Sequence, residues 1–432
     1  MSGPRRLLRR EDGAATVFAL FLFILCLTVG AVALDVSHAY AARTRLQAAT
    51  DATAHAAIVA REYMTADEAR AKARAIGEGH LPAGRYGDIF APQHVTFGTW
   101  DGDTRTFVPD ETASGAVLVR GMRGLDGGTP APTFLFKLVG IDWWDIVVEA
   151  LFESYVPACI QNGFFAEGEV DIQSNNTFRA GFCVHSNYRV SLNQNNVFEP
   201  GVIVSMPNVN DLDMPSSGFR KNDGLEEALR DMEYPLRILD RIDEIAAGLQ
   251  DPDSAFYPSF LDSPTPIALN NNRLTEANWT EGAVHTATCS GNQTVTIPNK
   301  TTLRRGVLIT DCRIVFGSNA TVEDVVMLTT STHRNSVAGS SGVQFGAVDG
   351  CAPGGAANIV TMGGVKFPAK LGLSGSQIIA RLDVTFAAQG DGVHGASIIS
   401  GGTISGTSNA DMGPCIDGMG ESFHASQFRM AR

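Results

Sequence analysis

VDIQSNNTFRAGFCV at 170–184 and VSLNQNNVFEPGVIV at 190–204 align without a gap. Val170 and Val190, Asn175 and Asn195, Asn176 and Asn196, Phe178 and Phe198, Gly181 and Gly201, and Val184 and Val204 recur at an offset of 20 (190 − 170). An offset of 19 relates Val295, Ile297, Leu303, Val307 and Ile309 to Ile314, Phe316, Val322, Val326 and Leu328. A weaker match at the same offset sets Val365, Phe367 and Ile379 against Val384, Phe386 and Ile398. Short alternating strands between Asn/Gly turns, at a period near twenty, are the sequence signature of a β-solenoid. Each coil leaves an apolar edge that only the next coil covers, so several must stack. The expected fold of 156–432 is a parallel β-helix of open handedness, with Asn175/Asn195 and Asn176/Asn196 forming ladders at the bends. A β-sandwich of evenly spaced strands is the alternative.

One segment breaks the repeat. From Asn222-Asp223-Gly224, apolar residues Leu225, Leu229, Met232, Leu236, Leu239, Ile242, Ile245 and Leu249 follow at spacings of three and four. This pattern predicts a helical insertion over 223–250, capped by Asn222 or Asp223 and kinked at Pro235. Its apolar stripe is expected to pack on the side of the solenoid. A proline-rich run from Asp251 to Pro266 returns the chain to strands.

Upstream, the run AATVFALFLFILCLTVGAVAL at 14–34 carries no charge. Its length suits a helix crossing roughly 30 Å of hydrocarbon, where every backbone polar group must be bonded internally. Arg5, Arg6, Arg9 and Arg10 precede it, and only Arg43 and Arg45 lie close on the far side. The bias predicts residues 1–13 as a cytoplasmic basic tail, 14–34 as a single transmembrane span and the bulk of the chain exported across the inner membrane. Cleavage after Ala33 of a signal peptide is the alternative, since Ala31-Val32-Ala33 has the small-x-small form. Beyond the span, 35–79 is alanine-rich and free of proline, so the helix is expected to continue. A second helix should start at Thr65, capped by it and led by Asp67 and Glu68. Between Pro92 and Phe152 the period changes. Strands are expected at 94–100, 106–108, 116–120 and 146–150, with a turn at Asp101-Gly102-Asp103. The expectation for 35–155 is a pilin-like α+β module.

Several of these stretches carry a family likeness. Gly13-Ala14-Ala15-Thr16-Val17-Phe18-Ala19-Leu20, Ala33-Leu34-Asp35-Val36, Ala39-Tyr40-Ala41-Ala42-Arg43 and Leu46-Gln47-Ala48-Ala49-Thr50-Asp51-Ala52, behind the arginine tail, resemble the N-terminal domain of TadG-like Flp pilus-assembly proteins. The segment from Pro132 to Gly140 and on through Val148-Glu149-Ala150 is similar to the end of that family's extracytoplasmic module. The resemblance implies a role in building or anchoring an adhesive pilus in a bacterial envelope. Type IV prepilins are cut after a glycine and place glutamate fifth; cutting after Gly13 would place Phe18 there, so pilin-like processing and polymerisation are not expected. The metal site of a von Willebrand A domain begins D-x-S-x-S, and Asp35-Val36-Ser37-His38-Ala39 fails at its last position.

Composition bounds the chemistry. A formal charge of −13 over 432 residues argues against nucleic acid or anionic lipid as a partner of the bulk of the chain. Of the seven cysteines, Cys26 lies in the apolar run. The six exported ones, Cys159, Cys183, Cys289, Cys312, Cys351 and Cys415, are expected in disulfides, with sequence neighbours pairing as 159–183, 289–312 and 351–415. No C-x-x-C or Cys/His spacing points to a metal. Parallel β-helices that cleave sugars need clustered carboxylates. Asp311, Glu323, Asp324, Asp349, Asp383 and Asp391 are scattered in sequence, as are His185, His285, His333 and His394. Gly390-Asp391-Gly392 stands without the calcium-binding nonapeptide repeat. Asn175, Asn278, Asn292, Asn299 and Asn319 lie in N-x-T sequons and read as turn residues, and Trp143-Trp144 as a core position before a strand, with an exposed aromatic patch for a sugar or a partner as the alternative. No catalytic, cofactor or metal residue is identified. The reading is a non-enzymatic, membrane-anchored protein of Flp/Tad pilus assembly, anchoring or adhesion, acting through protein–protein contacts. A membrane-tethered carbohydrate-binding or carbohydrate-active β-helix is the alternative.

Overall fold

The computed structural model describes residues 12–431 except 126, 291, 292, 416 and 421, and leaves aside the side chains of 12, 14, 158, 159, 389–391 and 418. The arginine tail therefore lies outside the described residues. The chain divides into two compact units, one formed by 1–155 with 426–432 and the other by 156–425.

In the first unit, helix α1 (Asp12–Arg61) runs unbroken for 50 residues, about 75 Å at 1.5 Å per residue. Its apolar half, from Val17 to Leu34, is exposed. Its second half changes character: Ala42, Leu46, Ala49, Ala54, Ala57 and Ile58 are buried against a five-stranded sheet and a second helix. That helix, α2 (Ala66–His80), opens on a capping box in which Thr65 and Glu68 bond each other's backbone N–H. The small residues of α1 thus serve its own module. The sheet is antiparallel. Strand β1 (Val95–Asp101) pairs β2 (Thr106–Pro109) on one side and β3 (Ala116–Arg123) on the other. A short pair, β4 (Ala131–Pro132) with β5 (Trp143–Trp144), stands apart, and β6 (Ile146–Tyr155) pairs β3. The fifth strand comes from the end of the chain: Gln427–Met430 pairs antiparallel with β6, Gln427 opposite Tyr155. The expected solenoid boundary at 432 is corrected by this pairing: the final strand completes the first sheet, so the solenoid is an insertion between two paired strands.

The second unit is a parallel β-solenoid with three faces. On one face a continuous ladder links 266–268, 283–287, 306–310, 325–329, 357–361, 376–380, 396–400, 163–166, 183–186, 203–206 and 229–231. That makes eleven rungs among the described residues. The spatial order is not the chain order. The chain enters the stack at 163, climbs to 231, returns to the opposite end at 266 and climbs again until 397–400 pairs beneath 163–166. The other two faces close at the same joint, where Ile404 pairs Val170 and Met412 pairs Phe178.

Side chains seal the joint. Phe164 meets Phe182 above at 5.2 Å and Phe386 below at 5.6 Å between ring centroids. Arg179 reaches Glu199 at 2.7 Å and Asp411 at 2.5 Å, spanning three successive coils. The expected Asn ladders exist and extend across it. Asn195 donates to Asn175 at 3.2 Å and Asn175 to Asn409 at 3.1 Å, all three at positive φ. Inside the bend, Asn196 Oδ1 accepts from the backbone N–H of Asn176 at 3.0 Å, and Asn222 Oδ1 accepts from that of Asn196 at 3.2 Å. Gly181 and Gly201 recur because both turn at positive φ, 88° and 100°. The sequons fit the same scheme: Asn319 has positive φ, Asn278 Oδ1 accepts from Thr275 and Asn299 Oδ1 from Ser318, while Asn292 lies outside the described residues.

Registers follow the repeats for 170/190 and 295/314. In the third pair the offset slips from 19 to 20. Val365 faces Val384, but Ile378, not Ile379, faces Ile398, because the stretch from Phe386 to Val393 holds one residue more than the stretch from Phe367 to Leu373 that it pairs.

The insertion at 223–250 is not one helix. Leu225–Ala228 forms a single turn, Leu229–Asp231 is drawn into the ladder as its last rung, and helical structure resumes only over Arg237–Arg241 and Ile242–Gly248. Pro235 cannot donate within a helix, and backbone pairing with Val204–Met206 captures the residues before it. The stripe splits accordingly. Leu225 joins the solenoid core. Leu236, Leu239, Ile242, Ile245 and Leu249 form a strap over the outward residues Ile399, Ile379, Val360, Leu328, Val307 and Val284.

Cys289 is bonded to Cys312 and Cys351 to Cys415. Cys183 is also in a disulfide, and the side chain of Cys159 lies outside those described.

The buried ladder is testable. Asn196→Ala leaves the backbone N–H of Asn176 without its acceptor and is expected to cost about 1–3 kcal/mol, while Asn195→Gly, which removes the exposed ladder amide without straining the left-handed bend, costs less. Urea midpoints of the detergent-solubilised full chain measure both; equal shifts would refute the assignment of the inner ladder as the stabilising one.

Candidate membrane-anchoring site

The sequence motifs sought for catalysis are dispersed among structural duties. Asp311 accepts the backbone N–H of Cys289, Asp324 that of Gly355, Asp349 that of Ala352 and Asp383 that of Thr403. Glu323 pairs Arg304 on the adjacent rung at 2.7 Å. The side chain of Asp391 is outside those described. Cys289, Asp311 and Cys312 bring three metal-capable groups together, but the two sulfurs are bonded to each other, which leaves no thiolate to ligate. His185 is buried, stacked on Phe165 at 4.4 Å and bonded to Ser205 and Asn187. His285 stacks on Trp279 at 4.3 Å. Burial lowers both imidazole pKa values, keeping them neutral. His333 bonds the backbone N–H of Asn335, and His394 is exposed. Asp171, which sequence reasoning passed over, is pushed upward by burial and next by Glu169.

A converging arrangement does occur where the apolar run ends. Asp35, the first charged residue after it, is fully buried. One carboxylate oxygen accepts the backbone N–H of Phe134 at 2.7 Å; the other accepts those of Leu135 at 2.9 Å and Phe136 at 2.7 Å. Three successive N–H groups pointing inward form a nest for an anion. Burial alone would raise the Asp35 pKa, but these three bonds, helped by His38, outweigh it and hold the carboxyl below its ordinary range. His38 also packs edge-on against the ring of Phe134 at 4.8 Å.

The bound segment is a compact knob. Leu135 caps a 3-10 turn over Phe136–Val139, Gly140 closes it at φ 85°, and Ile141 N–H returns to Phe136. Thr133 donates from its backbone to Asp142, tying the two ends. Trp144 meets the Phe136 ring at 5.6 Å, whereas Trp143 is exposed. The expected core position therefore holds for Trp144 and fails for Trp143, because successive residues of a strand point to opposite faces. No local sequence pattern announced the Asp35 contact, which spans about a hundred residues of chain.

Because the folded-state pKa lies below the unfolded one, the stabilisation from Asp35 is full at neutral pH and is lost as pH falls through and below the carboxylate range. Asp35→Asn removes the charge and turns an N–H toward the nest. Its thermal midpoint is expected below that of the wild type at pH 7, with the gap closing as acid protonates Asp35. A gap independent of pH would show that charge is not what the nest binds.

Comparison with known proteins fits this division. A family model described as "Domain of unknown function (DUF7867)" matches residues 163–416, well over half of the chain. A second, described as "Putative Flp pilus-assembly TadE/G-like", matches residues 13–73, the apolar helix with its alanine-rich continuation. No curated protein and no solved structure matches. The chain belongs to the DUF7867 family and carries a TadE/G-like Flp pilus-assembly segment ahead of the solenoid that defines it.

Proposed function

We propose that this protein is a non-enzymatic, single-pass component of a Flp (tight-adherence) pilus system, held in the inner membrane by α1 and presenting its solenoid on the outer side. The carrying observation is the TadE/G-like match over 13–73, on a helix whose apolar residues from Val17 to Leu34 are exposed rather than packed in a core. The arginine tail supports an N-terminus in the cytoplasm. Asp311, Glu323, Asp324, Asp349, Asp383, His185 and His285 are engaged in turns, an ion pair and stacking, which supports a role through contacts rather than catalysis. A solenoid stiffened by disulfides suits a structural or adhesive part exposed to an oxidising compartment.

Deletion of the chain is expected to reduce surface pili and biofilm, and fractionation to place the intact protein in the membrane pellet. Normal piliation would remove the assembly role. A form beginning after Ala33 in the soluble periplasm would remove the anchor. Saturable binding of a polysaccharide by the purified full chain would favour the carbohydrate reading.

A further inference from the structure

The knob at 134–143 is apolar on its outside. Leu138 is 85% exposed, Val139 74% and Phe134 53%, with Leu135, Ile141 and Trp143 also exposed. These residues do not hang on a loose loop, since the turn is closed by its own hydrogen bonds and pinned by Asp35. A rigid apolar cluster of this kind marks a surface that something covers.

Its position identifies the cover. Leu34 ends the uncharged run and Asp35 follows it directly. The knob's backbone is within 2.9 Å of the Asp35 carboxylate, so it sits at the level where the span leaves the hydrocarbon. The polar layer of a bilayer is roughly 5–7 Å deep on each side, comparable with the size of the knob itself. Aromatic residues with an apolar body and a polar edge, such as Trp143, favour that layer. Lys137 sits at the centre of the turn and can extend its ammonium toward water or headgroup phosphate. Exposed Arg45 and Arg85, with Arg123, line a cavity of about 410 Å³ that also touches Phe134, adding positive charge on the side of the knob away from the apolar run.

We infer that the segment Phe134–Trp143 is a second membrane contact: an interfacial wedge that inserts its apolar side chains among lipid headgroups beside the span. The inference rests on α1 crossing the membrane. With the wedge embedded, the module is held at a fixed height and tilt by two points instead of one.

The test uses the full chain in single-copy nanodiscs, with an environment-sensitive fluorophore on one thiol. Cys26 carries it in the native sequence; in a Cys26→Ala background, Leu138→Cys or Thr112→Cys carries it. Thr112 is the aqueous control, since its carbonyl bonds Arg61 at the far end of α1. The Leu138→Cys label is expected to emit to the blue of the Thr112→Cys label and to be quenched by nitroxide lipids carrying the spin near the headgroup. The Cys26 label should be quenched by nitroxides deep in the acyl chains. If Cys26 is not quenched by lipid, the anchor itself fails. If Cys26 is quenched and Leu138→Cys behaves as Thr112→Cys does, the wedge alone is overturned. Blue emission at Leu138→Cys without lipid quenching also overturns it, since a protein surface would then cover the knob.

Discussion

Everything in the solenoid depends on one pairing, that of Ser397–Ser400 with Gly163–Ala166. A coil of a β-solenoid has apolar and hydrogen-bonding edges above and below, and neither is tolerable alone in water. The first coils made in chain order, 163–206, have no partner beneath them until residues more than two hundred positions later arrive. Their open lower edge is closed by Ile399, Ile404 and Met412, by the ring of Phe386 and by the Asp411 carboxylate on Arg179. Such distant pairing carries a loop-closure cost that local repeats do not. The physical consequence is that the upper coils and the lower stack stabilise each other, and neither half of the sequence contains a complete solenoid.

The strap follows from this order. A chain that climbs from 163 to 231 and must restart at 266 has to travel the length of the ladder on the outside. Its contacts record the descent. Tyr234 C=O accepts from Asn187, Leu236 N–H reaches Glu167, Arg381 donates to Leu239 C=O, and Asp262 N–H reaches Gly282. The route is apolar on its inner side because the outward residues of these rungs, Phe165, Ile379, Val360 and Val307 among them, are apolar too. A connection that would otherwise be a cost becomes a cover for one sheet face. The restart at Pro266 places a proline in the terminal rung at one end, where a missing N–H discourages further strand addition.

The repeat was legible because stacking imposes it residue by residue. Asn175 and Asn195 match because each fills the same left-handed bend, and Val170 and Val190 because each fills the same inner position. Register between adjacent coils could therefore be taken from the letters, and it slipped only where an extra residue between Phe386 and Val393 leaves no mark in the composition. What adjacent repeats cannot reveal is which distant coils meet. Nothing near Ile404 resembles Val170 strongly enough to announce their pairing, and the last strand, Gln427–Met430, is ordinary until Tyr155 is beside it. The insertion misled for a related reason. Spacings of three and four from Leu225 to Leu249 describe a helix face, but Leu229 serves a rung and only the residues after Pro235 serve the strap.

Asp35 shows the same limit in the N-terminal helix. A lone carboxylate after an apolar run reads as the polar boundary of a span, and nothing around it hints at Phe134. In the fold it does more than end the apolar run. Three N–H groups need an anion, a buried anion needs donors, and neither exists comfortably without the other. The contact therefore fixes one point of the module to one turn of α1. From there the small residues Ala42, Ala49, Ala54 and Ala57 let the sheet and α2 lie close along the next turns. With both the first turn and the packed face specified, the module cannot slide along or rotate about the helix. On the proposed membrane anchoring, the depth and tilt set at Leu34 are carried by a continuous helix into the module, and it is this coupling that a charge placed one residue beyond the apolar run provides.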